Sequence, residues 1–270
     1  MENIRAGVAR AIRPAALVMA ITFTATAEQA QNIHQAVLAE SNQRTSEVST
    51  EELQHILAER TATVLDARPF LEYAVSHIPG ARNVAAKPGV PMSMYVSDVA
   101  EIGRMMKGDK AAPVVLYCNG PYCGKSKRLA EELLGAGFTN IRRYQLGIPV
   151  WRALGGVCEI DAAGLRYVLA QDRTAVLLDV READEFRLGT LTGARNIPRS
   201  LVLEGKDVGE LKKAKDDGRL PMDDHNTRVI VVAADSADAR YVAAAIAREA
   251  FHNVTYFAGS LNEALTAIRK

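Results

Sequence analysis

Cys118 follows directly on the apolar run Val114-Val-Leu-Tyr117, and a second cysteine, Cys123, stands five residues later. The segment Asn119-Gly-Pro-Tyr-Cys-Gly-Lys125 has glycines at 120 and 124, which let the backbone approach a ligand closely, and a proline at 121, which limits its freedom. A loop leaving a buried strand and curling into a helix turns several backbone amides inward. Those amides and the helix dipole form a cradle for an anion. The same field lowers a thiol's pKa towards the reactive thiolate. The chemistry such residues could do is attack by sulfur on an anionic substrate, through a covalent intermediate held by the cradle. Cys118 is the candidate nucleophile. Asn119, Gly120, Pro121, Tyr122, Cys123, Gly124 and Lys125 are the candidate substrate-binding residues.

The elements that must hold this loop occur twice. Thr61-Ala-Thr-Val-Leu-Asp-Ala-Arg68 aligns with Thr174-Ala-Val-Leu-Leu-Asp-Val-Arg181, and Gly80-Ala-Arg-Asn83 with Gly193-Ala-Arg-Asn196. Phe138-Thr-Asn140 aligns with Phe251-His-Asn253, all at one offset of 113 residues. A register held over so long a stretch indicates tandem duplication. In each copy a helix comes first, capped by Ser49 (with Glu52 completing a capping box) or by Asp161. A short strand follows at 62–65 or 175–178, ending at Asp66 or Asp179. The runs 114–117 and 229–232 are apolar throughout, as in a sheet covered on both faces. Helices are expected behind them over 126–134 and 239–250, with short strands near Ile141 and Val254. The fold class is therefore α/β: two tandem domains over 48–156 and 159–270, each a largely parallel central sheet flanked by helices.

The 270 residues suffice for two cores, and a composition of 48% hydrophobic and 24% charged residues is that of a globular protein. The formal charge of +1 gives no reason to expect nucleic acid or a membrane as partner. Five scattered histidines show no metal-ligand spacing, so neither metal nor cofactor is expected. Arg5, Arg10 and Arg13 precede a short apolar stretch ending Ala25-Thr-Ala27, the pattern of a signal peptide cut after Ala27. That reading places the protein in the periplasm or outside the cell. A disordered or amphipathic leader on a cytoplasmic protein is the alternative. Residues 28–47 form a polar N-terminal extension. Three cysteines, Cys118, Cys123 and Cys158, are too few for a disulfide scaffold, and Cys158 falls in the connection between the copies.

Leu65-Asp-Ala-Arg68, the run Glu72-Tyr-Ala-Val-Ser-His-Ile-Pro-Gly-Ala-Arg-Asn83, the strand–Cys118 loop and Tyr144-Gln-Leu-Gly-Ile-Pro-Val-Trp-Arg-Ala-Leu-Gly155 together resemble the rhodanese (thiosulfate sulfurtransferase) family in its two-domain form. The second copy matches at Leu178-Asp-Val-Arg181 and Glu185 to Pro198. The resemblance implies a sulfurtransferase in which Cys118 takes sulfane sulfur from thiosulfate or a related donor, holds it as a persulfide, and yields it to a thiol or cyanide. It also makes Asp66 and Arg68 a structural ion pair, and His77 a residue that holds a turn.

The loop departs from the family pattern. Gly120 stands two positions after the nucleophile, Pro121 three and Cys123 five, where the family commonly has glycine at the third and serine or threonine at the fifth. Cys123 has three readings: a weak hydrogen-bond donor, a thiol that resolves Cys118, or inert packing. The second copy continues from Val232 as Ala233-Ala-Asp-Ser-Ala-Asp-Ala-Arg240, with no cysteine and with Asp235 and Asp238 to repel an anion. It reads as catalytically inactive, available for stabilising the first domain, covering its active face or binding a protein partner. Trp151 reads as core and Tyr122 as lining the pocket mouth. Two other functions remain open: a non-catalytic interaction module, and a thiol–disulfide redox protein using Cys118 and Cys123.

Overall fold

The computed structural model describes residues 32–269. The signal peptide expected over 1–27, and residues 28–31 of the extension, lie outside the described residues.

The extension enters as a short 3-10 turn and then joins the first sheet by strand β1, Ser46–Glu47. The Glu47 carboxylate folds this segment on itself by accepting from the amides of Leu38 (2.7 Å) and Glu40 (3.1 Å). Helix α1 (Thr50–Glu59) begins where Ser49 accepts the Glu52 amide at 3.1 Å. The reciprocal half of the expected capping box is not made: the Glu52 carboxylate pairs with Arg142 instead. There follow β2 (Thr63–Asp66), α2 (Phe70–Val75), β3 (Arg82–Asn83), α3 (Val99–Met105), β4 (Val114–Tyr117), α4 (Lys125–Gly135), β5 (Ile141–Tyr144) and α5 (Gly147–Ala153). The strands form one parallel sheet in the order β1-β5-β4-β2-β3.

β4 lies at the centre, all four of its residues buried. Its period of two divides the core between the faces. Val114 and Leu116 pack with Leu65, Ile102, Leu129 and Leu133, while Val115 and Tyr117 pack with Leu53, Ile78, Tyr144 and Trp151. This is why the run shows no alternation of apolar and polar residues.

The second half repeats the arrangement with β6 (Cys158–Ile160), α6 (Ala162–Gln171), β7 (Val176–Asp179), α7 (Ala183–Leu188), β8 (Arg195–Asn196), α8 (Gly209–Asp216), β9 (Val229–Val232), α9 (Ser236–Arg248), β10 (Val254–Phe257) and α10 (Leu261–Arg269). Its parallel sheet runs β6-β10-β9-β7-β8, the topology of the first. Two expectations need correcting. Cys158 is not in a connection: it is the buried first residue of β6. α9 starts at Ser236 rather than 239, because Asp235 caps it by accepting from the amides of Ala237 (2.8 Å) and Asp238 (3.1 Å).

The two domains are joined along α2. His77 and Glu159 form an antiparallel bridge with backbone hydrogen bonds of 3.0 and 2.8 Å, and Asp161 donates its amide to the Ala74 carbonyl at 2.9 Å. The buried His77 ring stacks on Tyr73, donates from Nδ1 to the Tyr73 carbonyl at 2.9 Å and faces Glu159 across the boundary at 3.5 Å. The Tyr256 hydroxyl donates to the other Glu159 oxygen at 3.0 Å. Trp151 is buried, its indole N–H donating to the Val157 carbonyl at 3.0 Å.

Candidate active site

Cys118 sits at the carboxyl end of β4, where open α/β sheets hold their ligands. The Ile148 amide donates to the Cys118 carbonyl at 3.1 Å and so ties the start of the loop to α5. Gly120 takes a φ of +97°, which places the chain close over the Leu146 carbonyl. The Cys123 amide then donates to the Gly120 carbonyl at 3.0 Å and closes a turn, so this amide is not free to hold a ligand. α4 follows with Gly124 at its N-cap and no capping side chain, leaving its first-turn amides facing the sulfurs.

The Cys118 side chain is enclosed, with the residue 2% exposed. Its thiol donates to the Cys123 carbonyl at 3.1 Å and lies 3.3 Å from the Ser126 hydroxyl. Cys123 is half-buried, while Asn119, Pro121 and Gly124 are exposed and Tyr122 projects fully into solvent. Tyr122 thus stands at the loop's tip. The pair's electrostatics are opposite. The hydrogen bond with Cys123, and then burial, push the Cys118 thiol well up, Ser126 offsetting only part. The neighbouring Cys118 thiol, with the backbone amides of Lys125 and Asn119 and the Lys125 charge, holds Cys123 below the ordinary thiol value against the opposing effect of burial.

Lys125 is not free. It lies 3.9 Å from the Glu72 carboxylate on α2, and the other Glu72 oxygen accepts from the Asn119 side-chain amide. The Tyr95 hydroxyl reaches the Lys125 carbonyl at 3.4 Å. Ser126, Glu72 and Tyr95 are the neighbours that sequence reasoning did not assign to the site. Ser126 alone left a signal, as a hydroxyl in the first turn of the helix behind the loop.

Asp66 and Arg68 lie apart from the sulfurs as a buried fork, with the guanidinium Nε 2.9 and 3.0 Å from the two carboxylate oxygens. Its Nη2 also donates to the Ser76 carbonyl at 2.6 Å. Asp179 and Arg181 repeat the fork in the second domain, reaching the Gly189 carbonyl. A surface groove of about 740 Å³ bounded by Leu154, Lys206, Arg248 and His252 includes none of the loop residues and no cysteine. Among the described residues no group of His, Cys, Asp and Glu could hold a metal ion, and no helix is long and apolar enough to cross a membrane.

Residues 49–154 and 166–267 match the family model of the rhodanese-like domain, one match to each sheet. The chain belongs to the rhodanese-like domain family. It is 32% identical over 93 residues to the HTH-type transcriptional regulator Rv0324 of Mycobacterium tuberculosis, a match covering 34% of this chain and 35% of that protein. It is 27% identical over 237 residues to the proposed thiosulfate sulfurtransferase SseB of the same organism, covering 68% of this chain and 81% of SseB. Among solved structures, a thiosulfate sulfurtransferase from Pseudomonas aeruginosa is 23% identical with a TM-score of 0.33. That alignment covers 80% of this chain and 43% of that one. SseA of Escherichia coli, a 3-mercaptopyruvate sulfotransferase, is 19% identical with a TM-score of 0.34, the alignment covering 80% of this rhodanese-like chain and 98% of SseA. The chain thus spans about a third of the regulator's length and under half of the Pseudomonas enzyme's.

Proposed function

We propose that this rhodanese-like protein is a sulfurtransferase that carries sulfane sulfur from thiosulfate or a related donor to a thiol or cyanide, through a persulfide on Cys118. The observation that supports it most is the position of Cys118: a sulfur at the carboxyl end of the central strand, beside the uncapped first turn of α4. A thiolate attacks the donor's outer sulfur, the donor's S–S bond breaks, and sulfite leaves with the electron pair. The persulfide's negative charge then rests against the first-turn amides and the Ser126 hydroxyl, where a helix N-terminus stabilises it. The acceptor attacks the outer sulfur, and Cys118 leaves with the electron pair and takes up a proton, returning to the thiol that donates to the Cys123 carbonyl.

The second domain is the inactive copy in this reading. Its equivalent helix, α9, has the Asp235 carboxylate on its first-turn amides, where the first domain offers sulfur. An internal anion fills that position, and no cysteine stands in the loop. The domain's contribution is to brace α2, whose Glu72 reaches the catalytic loop. Export to the periplasm by the N-terminal leader belongs to the same proposal.

The test is the intact mass of the reduced protein after incubation with excess thiosulfate, beside a Cys118→Ser/Cys123→Ser double variant. A gain of one sulfur, absent from the double variant and discharged by cyanide as thiocyanate, is the expected result. A folded protein that gains no sulfur from thiosulfate or 3-mercaptopyruvate would overturn the assignment and leave an interaction module.

A further inference from the structure

The two loop thiols differ in access. Cys118 is enclosed by the apolar cluster of Leu65, Ala67, Leu116 and Leu129, and its S–H is engaged by the Cys123 carbonyl. Cys123 stands half-buried at the rim, two residues ahead of α4, on the turn that carries the Lys125 ammonium. A donor arriving from solvent meets Cys123 before it meets Cys118.

We propose that Cys123 is the thiol that takes sulfur from the donor and passes it inward to Cys118, the two cysteines forming a relay; this rests on the sulfurtransfer reading above. In the first step the Cys123 thiolate attacks the outer sulfur of thiosulfate. The Cys123 S–S bond forms as the donor's S–S bond breaks, and sulfite carries away the electron pair. In the second step the Cys118 sulfur attacks the outer sulfur of that persulfide. The Cys123 S–S bond breaks with its electron pair returning to Cys123, and the proton of Cys118 ends there too. Nothing is oxidised or reduced overall, so no co-reactant is required. The sulfur finishes in the enclosed position, shielded from adventitious thiols.

The charges around the pair agree with this order. Cys123 faces Cys118, the amides of Asn119 and Lys125 and the ammonium of Lys125, with Glu72 of α2 behind that ammonium. Cys118 faces Ser126 of α4 and the phenol of Tyr95 from the segment before α3. These surroundings favour the negative charge on the rim sulfur over the inner one. Each pKa unit above the ordinary value removes about tenfold of the thiolate, and higher nucleophilicity returns only about half of that on a logarithmic scale. Enclosure of Cys118 and the charge preference act in the same direction, and make direct attack by Cys118 on the donor the slower route.

The experiment follows sulfur in time. Reduced full-length protein, Cys118→Ser and Cys123→Ser are mixed with thiosulfate, quenched at intervals, and mapped by intact mass and by peptide. In the wild type the sulfur is expected on Cys123 first and on Cys118 later. Cys118→Ser should still load one sulfur, on Cys123, and Cys123→Ser should load Cys118 at least about tenfold more slowly. Loading of Cys123→Ser at the wild-type rate, or none in Cys118→Ser, overturns the relay and leaves sulfurtransfer through Cys118 standing. Release of hydrosulfide with loss of two hydrogens from the protein means attack on the inner sulfur and a Cys118–Cys123 disulfide, which overturns the relay as well. No sulfur gain in the wild type removes the sulfurtransfer reading itself. Iodoacetamide labelling of the unmodified protein gives a donor-independent check: Cys123 should react faster than Cys118 between about pH 6 and 8, and the reverse order also overturns the relay.

Discussion

Gly147 lies backbone to backbone against Gly120: a Cβ on Gly147 would stand 2.3 Å from the Gly120 amide nitrogen and 2.5 Å from the Cys118 carbonyl oxygen. Gly147 also takes a φ of +65°, in the left-handed region that strains any residue with a side chain. The start of α5 is thus the floor on which the Cys118 loop rests. Gly147→Ala has no flexible neighbour to displace, since both contacts are backbone. It should destabilise the first domain by about 2–4 kcal/mol and misplace the loop. Thermal unfolding and the rate of sulfur gain from thiosulfate check this together, and an unchanged melting temperature would refute it.

The forks Asp66–Arg68 and Asp179–Arg181 offer an internal comparison. In the first, the carboxylate side chain is 0% and the guanidinium 4% exposed; in the second the values are 0% and 14%. Removing one partner of a buried pair leaves the other charge uncompensated, at a cost of about 3–5 kcal/mol. Asp66→Asn should fall in that range, and Asp179→Asn below it, because water reaches Arg181 more readily. Urea unfolding of both variants checks the order, and equal losses would show that burial is not the cause.

How much of this was legible in the sequence follows from the size of each signal. β4 and β9 announce themselves as apolar runs, and the constant offset fixes their neighbours, since a duplicated core keeps its spacing. The two-residue strands β1, β3 and β8 carry no period and leave no trace. Cys118 could be found because the order strand, loop, helix dictates where a nucleophile stands. Its enclosure beneath Cys123 could not, since that depends on the turn closed by Gly120 and on Ser126 facing inward. Lys125 reads as a substrate-binding residue without a partner in the sequence because Glu72 lies 53 positions away and is brought to it only by the sheet.

Glu159 ties the domains together, and its ionisation should appear in the acid limb of stability. Burial alone would raise its pKa, but the hydrogen bond and charge of His77 and the Tyr256 hydroxyl outweigh this and hold it below the usual carboxylate value. A folded-state pKa below the unfolded one means that the unfolded chain binds the proton more tightly. The contribution is therefore present above about pH 4.3 and is lost as pH falls through the lower folded value. Asp161, raised chiefly by burial, acts in the opposite sense and favours folding on acidification. Glu159→Gln should flatten the decline in stability between about pH 5 and 3. Denaturant titrations across that range test it, and an unaltered acid limb would show that other carboxylates set it.

Gly164, in the first turn of α6, is where two opposed effects meet. Alanine in place of glycine inside a helix ordinarily adds about 1 kcal/mol of stability. Here a Cβ would lie 2.0 Å from the Ala74 carbonyl oxygen and 2.7 Å from the Val75 amide nitrogen, so α6 could accept it only by moving away from α2. That movement strains the Asp161–Ala74 hydrogen bond and the His77–Glu159 bridge, which run along the same contact. Overpacking of about 1–3 kcal/mol, added to the loss of those bonds, exceeds the gain in helix propensity. Gly164→Ala should therefore lower stability and uncouple the domains, so that one calorimetric transition broadens or divides into two. α2 also carries Glu72, so the same variant should loosen the hold on Asn119 and Lys125 and raise the alkylation rate of the loop cysteines. A stabilised variant with a single sharp transition would mean that α6 shifts freely, and that the second domain does not brace the loop.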